Sequence, residues 1–290
     1  MAAAGWAKTT EQVRVLTGVP QVTHIVIGSY TVQPREGNTG GETFAVLRDG
    51  TSVNARGLPN RGVPYLRAHG REMAQIAHDA GKQLVVSGAW FTPTEAGVLA
   101  ATAFEIGADV YEDNCGCPNV WEGGKQKAIP SFDLDLMGEA DWVILRATGS
   151  GSVIWKKLSP YTNPEERVRV AAYLSEREPN GVVCCNTLPN ARLRGEDGKP
   201  LITAEGTSGL GGMGGTALFL LALTNAEHFR ELLPNNIDVI GCGGIRSGMD
   251  VRDYRLIGCV GVQVGTAFFQ KESAAALQSI GEWAMYTRAK

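Results

Sequence analysis

The chain has 290 residues, 43% of them hydrophobic and 20% charged, and its formal net charge is −3. It can therefore form a large buried core, and it lacks the strongly basic balance typical of nucleic-acid-binding proteins. The sequence contains no run of about 18 apolar residues, so it predicts no transmembrane helix. The N-terminus does not resemble a secretory signal peptide. Six cysteines, in two close pairs and two single positions, are a poor disulfide framework for this length. We therefore expect a cytoplasmic protein with free thiols.

The predicted elements alternate between strands and helices along the chain. Strands are expected at 23–27, 83–87, 108–112, 152–158, 181–185, 237–241 and 259–264. Helices are expected at 92–106, 164–177, 215–232, 247–257 and from about 273. Capping boxes, Thr92-Pro93-Thr94-Glu95 and Asn163-Pro164-Glu165-Glu166, begin the first two of these helices. The interval 133–147 fits either one helix or a helix with a strand at 142–145.

This alternation, with short turns, predicts parallel strands. A single domain over residues 1–290 with a (β/α)8 TIM barrel is the economical architecture, because this fold typically takes about 250 residues. A doubly wound open sheet is the alternative. Segments 38–62 and 187–212 are rich in turn-forming residues and show little periodicity. We expect both to be loops over the C-terminal face of the barrel, where active sites of this fold lie.

The segment Asn114-Cys115-Gly116-Cys117-Pro118-Asn119 follows a predicted strand. Carboxamides donate and accept hydrogen bonds, so they suit a ligand with alternating C=O and N–H groups. A thiol beside such a ligand can act as a proton-transfer group or a nucleophile. A polar turn with buried cysteines fits the same residues. Zinc binding by Cys115, Cys117, Cys184 and Cys185 is a further alternative, although neither pair has the usual C-x₂₋₄-C spacing.

Three glycine-rich segments predict close approach of backbone to a ligand. Residues 209–214 match G-x-G-x-x-G but follow a loop, which argues against a dinucleotide site and favours another flat ligand. Residues 241–245 and 262–266 each run from a strand into glycines, in consecutive βα units. Such neighbouring strand ends form a phosphate cradle in many barrels. Two tight turns without a ligand are the alternative.

Together with residues 29–38, 54–60 and 157–161, these motifs resemble the dihydroorotate dehydrogenase family, specifically its soluble cytosolic branch. The segments occur in the family's order and at its spacing, from about residue 3 to about residue 269. The resemblance implies a TIM barrel that holds FMN at its C-terminal face. The implied cofactor positions are Ala4, Gly5, Ser29, Lys157, Gly212 and, at the FMN phosphate, Gly243, Gly244, Gly265 and Thr266.

The resemblance also implies a substrate site and a mechanism. The implied substrate positions are Asn54, Arg56, Gly57, Leu58, Asn114, Asn119, Asn186 and Thr187. Cys117 matches the catalytic base, whose thiolate removes a proton from one carbon while a hydride leaves the neighbouring carbon for the flavin. Lys157 matches a catalytic lysine whose charge stabilises the reduced, anionic flavin. A homodimer in pyrimidine biosynthesis is implied, with dihydroorotate as the default substrate, a soluble electron acceptor, and no nucleic acid or membrane partner.

The chain departs from the family pattern at several positions. Gly28 stands where cytosolic members carry a lysine that touches flavin and substrate, Arg56 where methionine is usual, and Gly116 where serine is usual. These departures leave open a divergent paralogue that acts on a different heterocycle in secondary metabolism. They also leave open whether Arg56 restores the missing charge or points to solvent. If the lost lysine altered specificity, Gly28→Lys should improve dihydroorotate turnover. Because the implied flavin-lining residues Ala4 and Gly5 lie close to the start of the sequence, we expect the strands that precede the barrel to be shortened.

Overall fold

The computed structural model describes residues 1–269, in which strands and helices alternate. The strands are β1 (Ala2–Ala7), β2 (His24–Tyr30), β3 (Phe44–Val46), β4 (Thr51–Asn54), β5 (Gln83–Gly88), β6 (Val110–Asn114), β7 (Trp121–Glu122), β8 (Lys125–Gln126), β9 (Ile154–Lys157), β10 (Gly181–Cys184), β11 (Leu188–Ala191), β12 (Gly211–Gly215), β13 (Asp238–Cys242) and β14 (Gly261–Gln263). The helices are α1 (Thr10–Thr17), α2 (Gly62–Asp79), α3 (Pro93–Glu105), α4 (Leu134–Thr148), α5 (Pro164–Arg177), α6 (Phe219–Leu232) and α7 (Gly248–Leu256). Short 3-10 helices occupy Pro130–Phe132, Thr216–Leu218 and Thr266–Phe269.

Eight parallel strands form the central sheet, in the order β1-β2-β5-β6-β9-β10-β13-β14. The sheet closes on itself because Ala2 bridges Val264 beyond the end of β14, and the Ala3 N–H donates to the Val264 carbonyl at 2.8 Å. The predicted (β/α)8 barrel is confirmed, and the open doubly wound sheet is not. In parallel strands the carboxyl ends all meet at one rim, which defines where side chains from distant segments can converge.

The apolar part of the barrel interior is built from one or two side chains of every barrel strand except β14. The buried members of this interior cluster are Ala3, Val26, Val85, Val110, Trp155, Val183, Ile240 and Cys242. Side chains alternate between faces along a strand, so Glu112 and Lys157 share the inward face with Val110 and Trp155, one step nearer the rim. A larger apolar cluster packs between the outer faces of the strands and the helices.

The expectation that 38–62 and 187–212 are loops is partly wrong. They contain β3, β4 and β11, and β12 begins at the end of the second segment. These four strands form an antiparallel sheet in the order β11-β12-β4-β3. The glycines that obscured β12 are what permit it, since a Cβ at Gly211 would lie 2.5 Å from the Asn54 carbonyl oxygen. Gly215, expected to begin a helix, ends β12 instead, and α6 begins at Phe219.

Other differences concern single elements. Residues 134–147 lie within one helix, α4, and Asp133 is its N-cap. The alternative of a single helix is therefore confirmed, and the alternative with a strand at 142–145 is not. The elements β1, α1 and α2 were not predicted, and β1 was missed because alanine and glycine rarely favour a strand. The helix expected from about 273 lies outside the described residues. In residues 1–269, no helix has the length and apolar character needed to span a bilayer.

A buried ion pair joins the outer faces of β6 and β9. The Lys156 ammonium donates to the Asp113 carboxylate at 2.6 Å, and the two side chains are 2% and 0% exposed. Asp141 of α4 forms a second ion pair with Lys156. The other Asp113 oxygen accepts from the Trp90 indole N–H at 2.5 Å. Removing one member of such a pair leaves the other charge uncompensated in a low-dielectric environment.

We therefore expect Lys156→Met to lower the free energy of unfolding by about 3–5 kcal/mol, measured by urea denaturation of the flavin-loaded protein. The exposed Lys199, which lies 3.7 Å from Asp197, is the matched control, and Lys199→Met should change stability by less than about 1 kcal/mol. The double variant Asp113→Leu/Lys156→Met removes the two fully buried charges and leaves only the partly exposed Asp141, so it should recover much of the loss. A double variant less stable than Lys156→Met alone would contradict this account.

Candidate active site

The main cavity lies at the rim formed by the carboxyl ends of the barrel strands. Every predicted site residue except Gly212 lines it: Ala4, Gly5, Ser29, Asn54, Arg56, Gly57, Leu58, Asn114, Cys117, Asn119, Lys157, Asn186, Thr187, Gly243, Gly244, Gly265 and Thr266. These residues come from most of the length of the described chain. Parallel strand ends bring them together, because each segment follows or ends a strand at the same rim.

The four predicted asparagines form two hydrogen-bonded pairs in the cavity wall. In the first pair, Asn186 Nδ2 donates to Asn114 Oδ1 at 2.9 Å, and Asn114 Nδ2 donates to Ser29 Oγ at 2.8 Å. In the second pair, Asn119 Nδ2 donates to Asn54 Oδ1 at 2.6 Å. Each amide carries two N–H donors and two acceptor lone pairs, so the pairing fixes orientation and leaves bonding capacity for a ligand.

Gly212 does not line the cavity but holds the second asparagine pair in place. Its N–H donates to Asn119 Oδ1 at 2.9 Å. A Cβ at this position would lie 2.0 Å from Thr187 Oγ1 and 3.0 Å from Asn119 Oδ1. Glycine therefore permits β12 to approach both cavity residues. Its direct contact with FMN stays a prediction.

Cys117 is the partly exposed thiol among the six cysteines, and the other five are buried. The preceding Gly116 sits against the backbone of residues 158 and 159, where a Cβ would lie 2.5 Å from the Leu158 carbonyl carbon. This contact explains why glycine is suited to a position where the family usually has serine. Burial raises the pKa of the Cys117 thiol, and the Asn119 backbone N–H, Lys8 and Lys157 oppose that rise.

Lys157 is buried in the barrel interior but keeps a polar environment. Its ammonium donates to Gln263 Oε1 at 2.7 Å and lies 3.7 Å from Glu112 Oε1. Gln263 in turn donates to the other Glu112 oxygen. Burial lowers the pKa of Lys157, but the Glu112 carboxylate outweighs this effect and leaves the pKa above its ordinary value. Lys157 therefore carries a stable positive charge at the cavity wall.

The turns after β13 and near the end of β14 present nearly bare backbone to the cavity. Gly243 and Gly244 have φ of +136° and +70°, which favours glycine, and a Cβ on either would lie 2.5 Å from Ala222 or Phe219. Thr266 Oγ1 lies 2.9 Å from Ser52 Oγ at the same end. This glycine-lined end fits a phosphate group, and the charge of Lys157 fits a flavin ring that becomes anionic on reduction. The residues present therefore fit FMN.

The loop at 54–60 places Arg56 against the cavity rather than in solvent. Gly57 and Leu58 have φ of +71° and +59°, and the Asn38 N–H donates to the Arg56 carbonyl at 3.0 Å. The Arg56 guanidinium lies over the Phe269 ring, 4.9 Å from its centroid. Arg56 is thus half-buried and available at one end of the cavity.

Comparisons with known proteins agree with this geometry. A family model described as dihydroorotate dehydrogenase matches residues 1–282. A putative dihydroorotate dehydrogenase A (fumarate) from Streptococcus pyogenes (strain Manfredo) is 30% identical over 276 residues, covering 94% of this chain and 84% of that protein. The catalytic subunit of dihydroorotate dehydrogenase B (NAD(+)) from Staphylococcus carnosus is 32% identical over 256 residues, covering 85% and 75%. The chain belongs to the dihydroorotate dehydrogenase family.

A solved structure extends the comparison of the fold. DHODH from Eimeria tenella, crystallised in complex with ferulenol, superposes with a TM-score of 0.78 at 18% sequence identity. The match covers 99% of this chain and 81% of that one. At this identity the likeness concerns the fold. As members of its family are, the chain is an FMN-dependent oxidoreductase that acts on CH–CH groups.

Several cavity residues were not predicted from the sequence. They include Lys8, Phe44, Cys185, Cys242 and Phe269. A lysine directly after a rim strand is a recognisable signal, but β1 itself was not predicted, so Lys8 had no assigned place. Phe269 reaches the cavity through the last described 3-10 helix, and a Cβ on Gly5 would lie 3.4 Å from its ring. Barrel closure brings these two ends of the described part of the chain together.

The backbone at Gly28 argues against the sequence-based expectation that Gly28→Lys would improve dihydroorotate turnover. Its φ is +109°, and a Cβ would lie 2.4 Å from the Ser87 carbonyl oxygen and 2.9 Å from the Tyr30 nitrogen. Both neighbours are backbone atoms of the barrel, so they cannot move aside as a flexible side chain would. The structure therefore argues against any side chain at this position, and Gly28→Lys should not improve turnover.

Gly28→Ala should lower the free energy of unfolding by about 1–3 kcal/mol and weaken FMN retention, because the added methyl group displaces β2 or β5 at the rim. Gly81 is a matched control, since its φ is +67° but a Cβ there meets nothing within 4 Å. Urea denaturation should show a larger loss for Gly28→Ala than for Gly81→Ala. Equal losses would mean that backbone strain alone, and not the collision, matters at Gly28.

Proposed function

We propose that this enzyme oxidises dihydroorotate, or a closely similar cyclic amide, at a C–C bond, with the Cys117 thiolate as base. One observation carries the proposal: the four asparagines, Cys117 and Lys157 line the same cavity. A flat amide ring needs hydrogen-bond donors and acceptors around its edge, and oxidation at carbon needs a base beside it. The comparisons do not favour the alternative of a different heterocycle.

The paired asparagines have the role of orienting the substrate. Asn114 and Asn186 hold one another from β6 and the end of β10, while Asn54 and Asn119 hold one another from β4 and the loop after β6. Because each pair is already fixed, little side-chain entropy is lost when the remaining amide groups bind the ring. Such preorganisation places the reacting carbon at a defined distance from the thiol.

Cys117 Sγ takes the proton from one ring carbon in this proposal. When bound, FMN supplies the two-electron acceptor for the hydride that leaves the neighbouring carbon. The thiolate is the reactive form, and burial disfavours it. The positive charges of Lys8 and Lys157 favour it, so these side chains partly offset the cost of burial. Lys157 also keeps a positive charge beside the cavity as negative charge develops there.

Several properties of the protein stay predictions at this level. They are its single-domain organisation over residues 1–290, its location in the cytoplasm, its role in pyrimidine biosynthesis, its assembly as a homodimer, its soluble electron acceptor, and the absence of a nucleic-acid or membrane partner.

The proposal is tested by mixing the FMN-loaded protein with dihydroorotate without oxygen and following the flavin absorbance. The wild-type flavin should bleach within seconds. Cys117→Ser should retain its FMN but bleach about 10²–10⁴-fold more slowly, because it lacks an effective base. Cys115→Ser is a matched control, since the buried Cys115 thiol donates to Asp113. A wild-type flavin that stays oxidised would overturn the proposed substrate, and undiminished bleaching in Cys117→Ser would remove Cys117 from its role.

The bleaching rate should also rise with pH. Because burial raises the pKa of Cys117, the thiol form predominates at neutral pH. As long as the pH is below that pKa, raising it by one unit should increase the thiolate fraction, and with it the bleaching rate, by up to about tenfold. The rise should continue past pH 8.5, the ordinary value for a free cysteine. In stopped-flow measurements, the bleaching rate of Cys117→Ser should not show this rise with pH. A wild-type rate that is flat over pH 6–9 would contradict the assignment.

A further inference from the structure

Glu112 is a fully buried carboxylate that the proposed mechanism does not use. It lies on the inward face of β6, and its side chain is 0% exposed. Its Oε2 accepts a hydrogen bond from the Gln263 amide, whereas its Oε1 has no hydrogen-bond partner among the described residues. A buried carboxylate stays ionised only where a nearby positive charge offsets the cost of removing it from water.

Lys157 supplies that positive charge, and Gln263 connects the two groups. The Lys157 ammonium donates to Gln263 Oε1 at 2.7 Å and lies 3.7 Å from Glu112 Oε1. The Gln263 amide therefore presents its oxygen to the cation and its nitrogen to the anion. The three side chains form a triad across the barrel interior, because β14, which carries Gln263, is not a neighbour of β6 or β9 in the sheet order.

The triad lies at the floor of the main cavity. Of its three members, Lys157 lines the cavity, and Glu112 and Gln263 do not. The cationic end of the triad therefore faces a bound flavin, and the anionic end lies inside the barrel. Because Glu112 does not reach a ligand in the cavity, it acts on that ligand through the position and the charge of Lys157.

The other titratable groups that face Lys157 are thiols. Cys117, Cys185 and Cys242 come from the loop after β6, the end of β10 and β13. Burial raises the pKa of each thiol, so these groups are largely uncharged at neutral pH. Among the described groups around Lys157, Glu112 thus supplies the negative charge. Without it, burial would lower the pKa of the Lys157 ammonium.

We propose that Glu112, together with Gln263, is a positioning residue that holds Lys157 in its charged form while the flavin is still oxidised. The cation is then in place before negative charge develops on the flavin, and it needs no reorganisation when that charge appears. This inference rests on the role of Lys157 in the proposed function, but not on the identity of the substrate. A neutral Lys157 would instead take up a proton from solvent each time the flavin was reduced.

The number of protons taken up on reduction tests this proposal. Two electrons and one proton convert oxidised FMN to its anionic reduced form, and a lysine that is neutral beforehand takes up a second proton. Each proton taken up with two electrons changes the reduction equilibrium tenfold per unit of pH, which is about 30 mV. The measurement is the midpoint potential of the FMN-loaded protein, equilibrated with reference dyes without oxygen between about pH 7.5 and 9.

The wild-type potential should fall by about 30 mV per pH unit, which corresponds to one proton. Glu112→Gln has nearly the same shape but no charge, so Lys157 should be neutral in the oxidised protein, and the fall should steepen to about 60 mV per pH unit. Glu112→Asp keeps the charge and should retain the wild-type slope. A slope of about 60 mV in the wild type, or an unchanged slope in Glu112→Gln, would overturn the proposal.

A matched control and a double variant separate this role from a structural one. Glu72→Gln makes the same change at an exposed carboxylate 2.9 Å from Arg14, and its slope should equal that of the wild type. Glu112→Gln/Lys157→Met removes both buried charges, which favours folding over a variant with one of them. Its slope should return to about 30 mV per pH unit, because the group that takes up the second proton is absent. A slope that stays at about 60 mV would place that proton elsewhere and contradict the proposal.

These potentials distinguish failure of this inference from failure of the proposed function, because no substrate takes part in them. If dihydroorotate does not bleach the flavin but Glu112→Gln steepens the slope, the proposed substrate is wrong and the role of Glu112 stands. If dihydroorotate bleaches the flavin and Glu112→Gln keeps the wild-type slope, the enzyme assignment stands and the inference about Glu112 fails.

Discussion

Closure of the barrel between its first strand and the end of its last is the constraint on which the site depends. The hydrogen bond from the Ala3 N–H to the Val264 carbonyl joins segments separated by most of the described chain. Closure places Gly5 beside Phe269 and brings Lys8 to the same rim as Thr266. Because all eight strands run parallel, every functional segment ends at that rim. The cavity therefore exists only when the whole sheet has formed.

Alternation of side chains along β6 and β9 separates structural from functional charge. Asp113 and Lys156 point outward and form a buried ion pair with the helical layer, while Glu112 and Lys157 point inward to the cavity. Neighbouring residues of one strand thus serve stability and chemistry through different environments. In the inner pair, the Glu112 carboxylate keeps Lys157 positively charged. At the opposite end of the cavity, the positive charge comes from Lys8 and Arg56, which have no carboxylate partner among the described residues.

Close backbone contacts explain two of the positions where this chain departs from its family pattern. Gly28 lies against the backbone of β5, and Gly116 lies against the backbone after β9, so a side chain at either position would collide with atoms that the barrel holds in place. Glycine at these two positions is therefore required by the close approach of neighbouring backbone. The departure at Gly28 does not indicate that positive charge was lost, because Lys8 and Arg56 face the same cavity from other elements.

The sequence alone determined the alternation of strands and helices, the barrel, the family and a set of site residues that, apart from Gly212, all line the cavity. These follow from local patterns: Thr92 and Asn163 cap the N-termini of α3 and α5, and glycines or asparagines follow rim strands in the family's order. The small antiparallel sheet, the buried Lys156–Asp113 pair and the position of Lys8 were decided by tertiary structure. Each depends on contacts between segments distant in the chain, and β1 and β12 are rich in alanine or glycine, whose strand conformation comes from pairing rather than propensity.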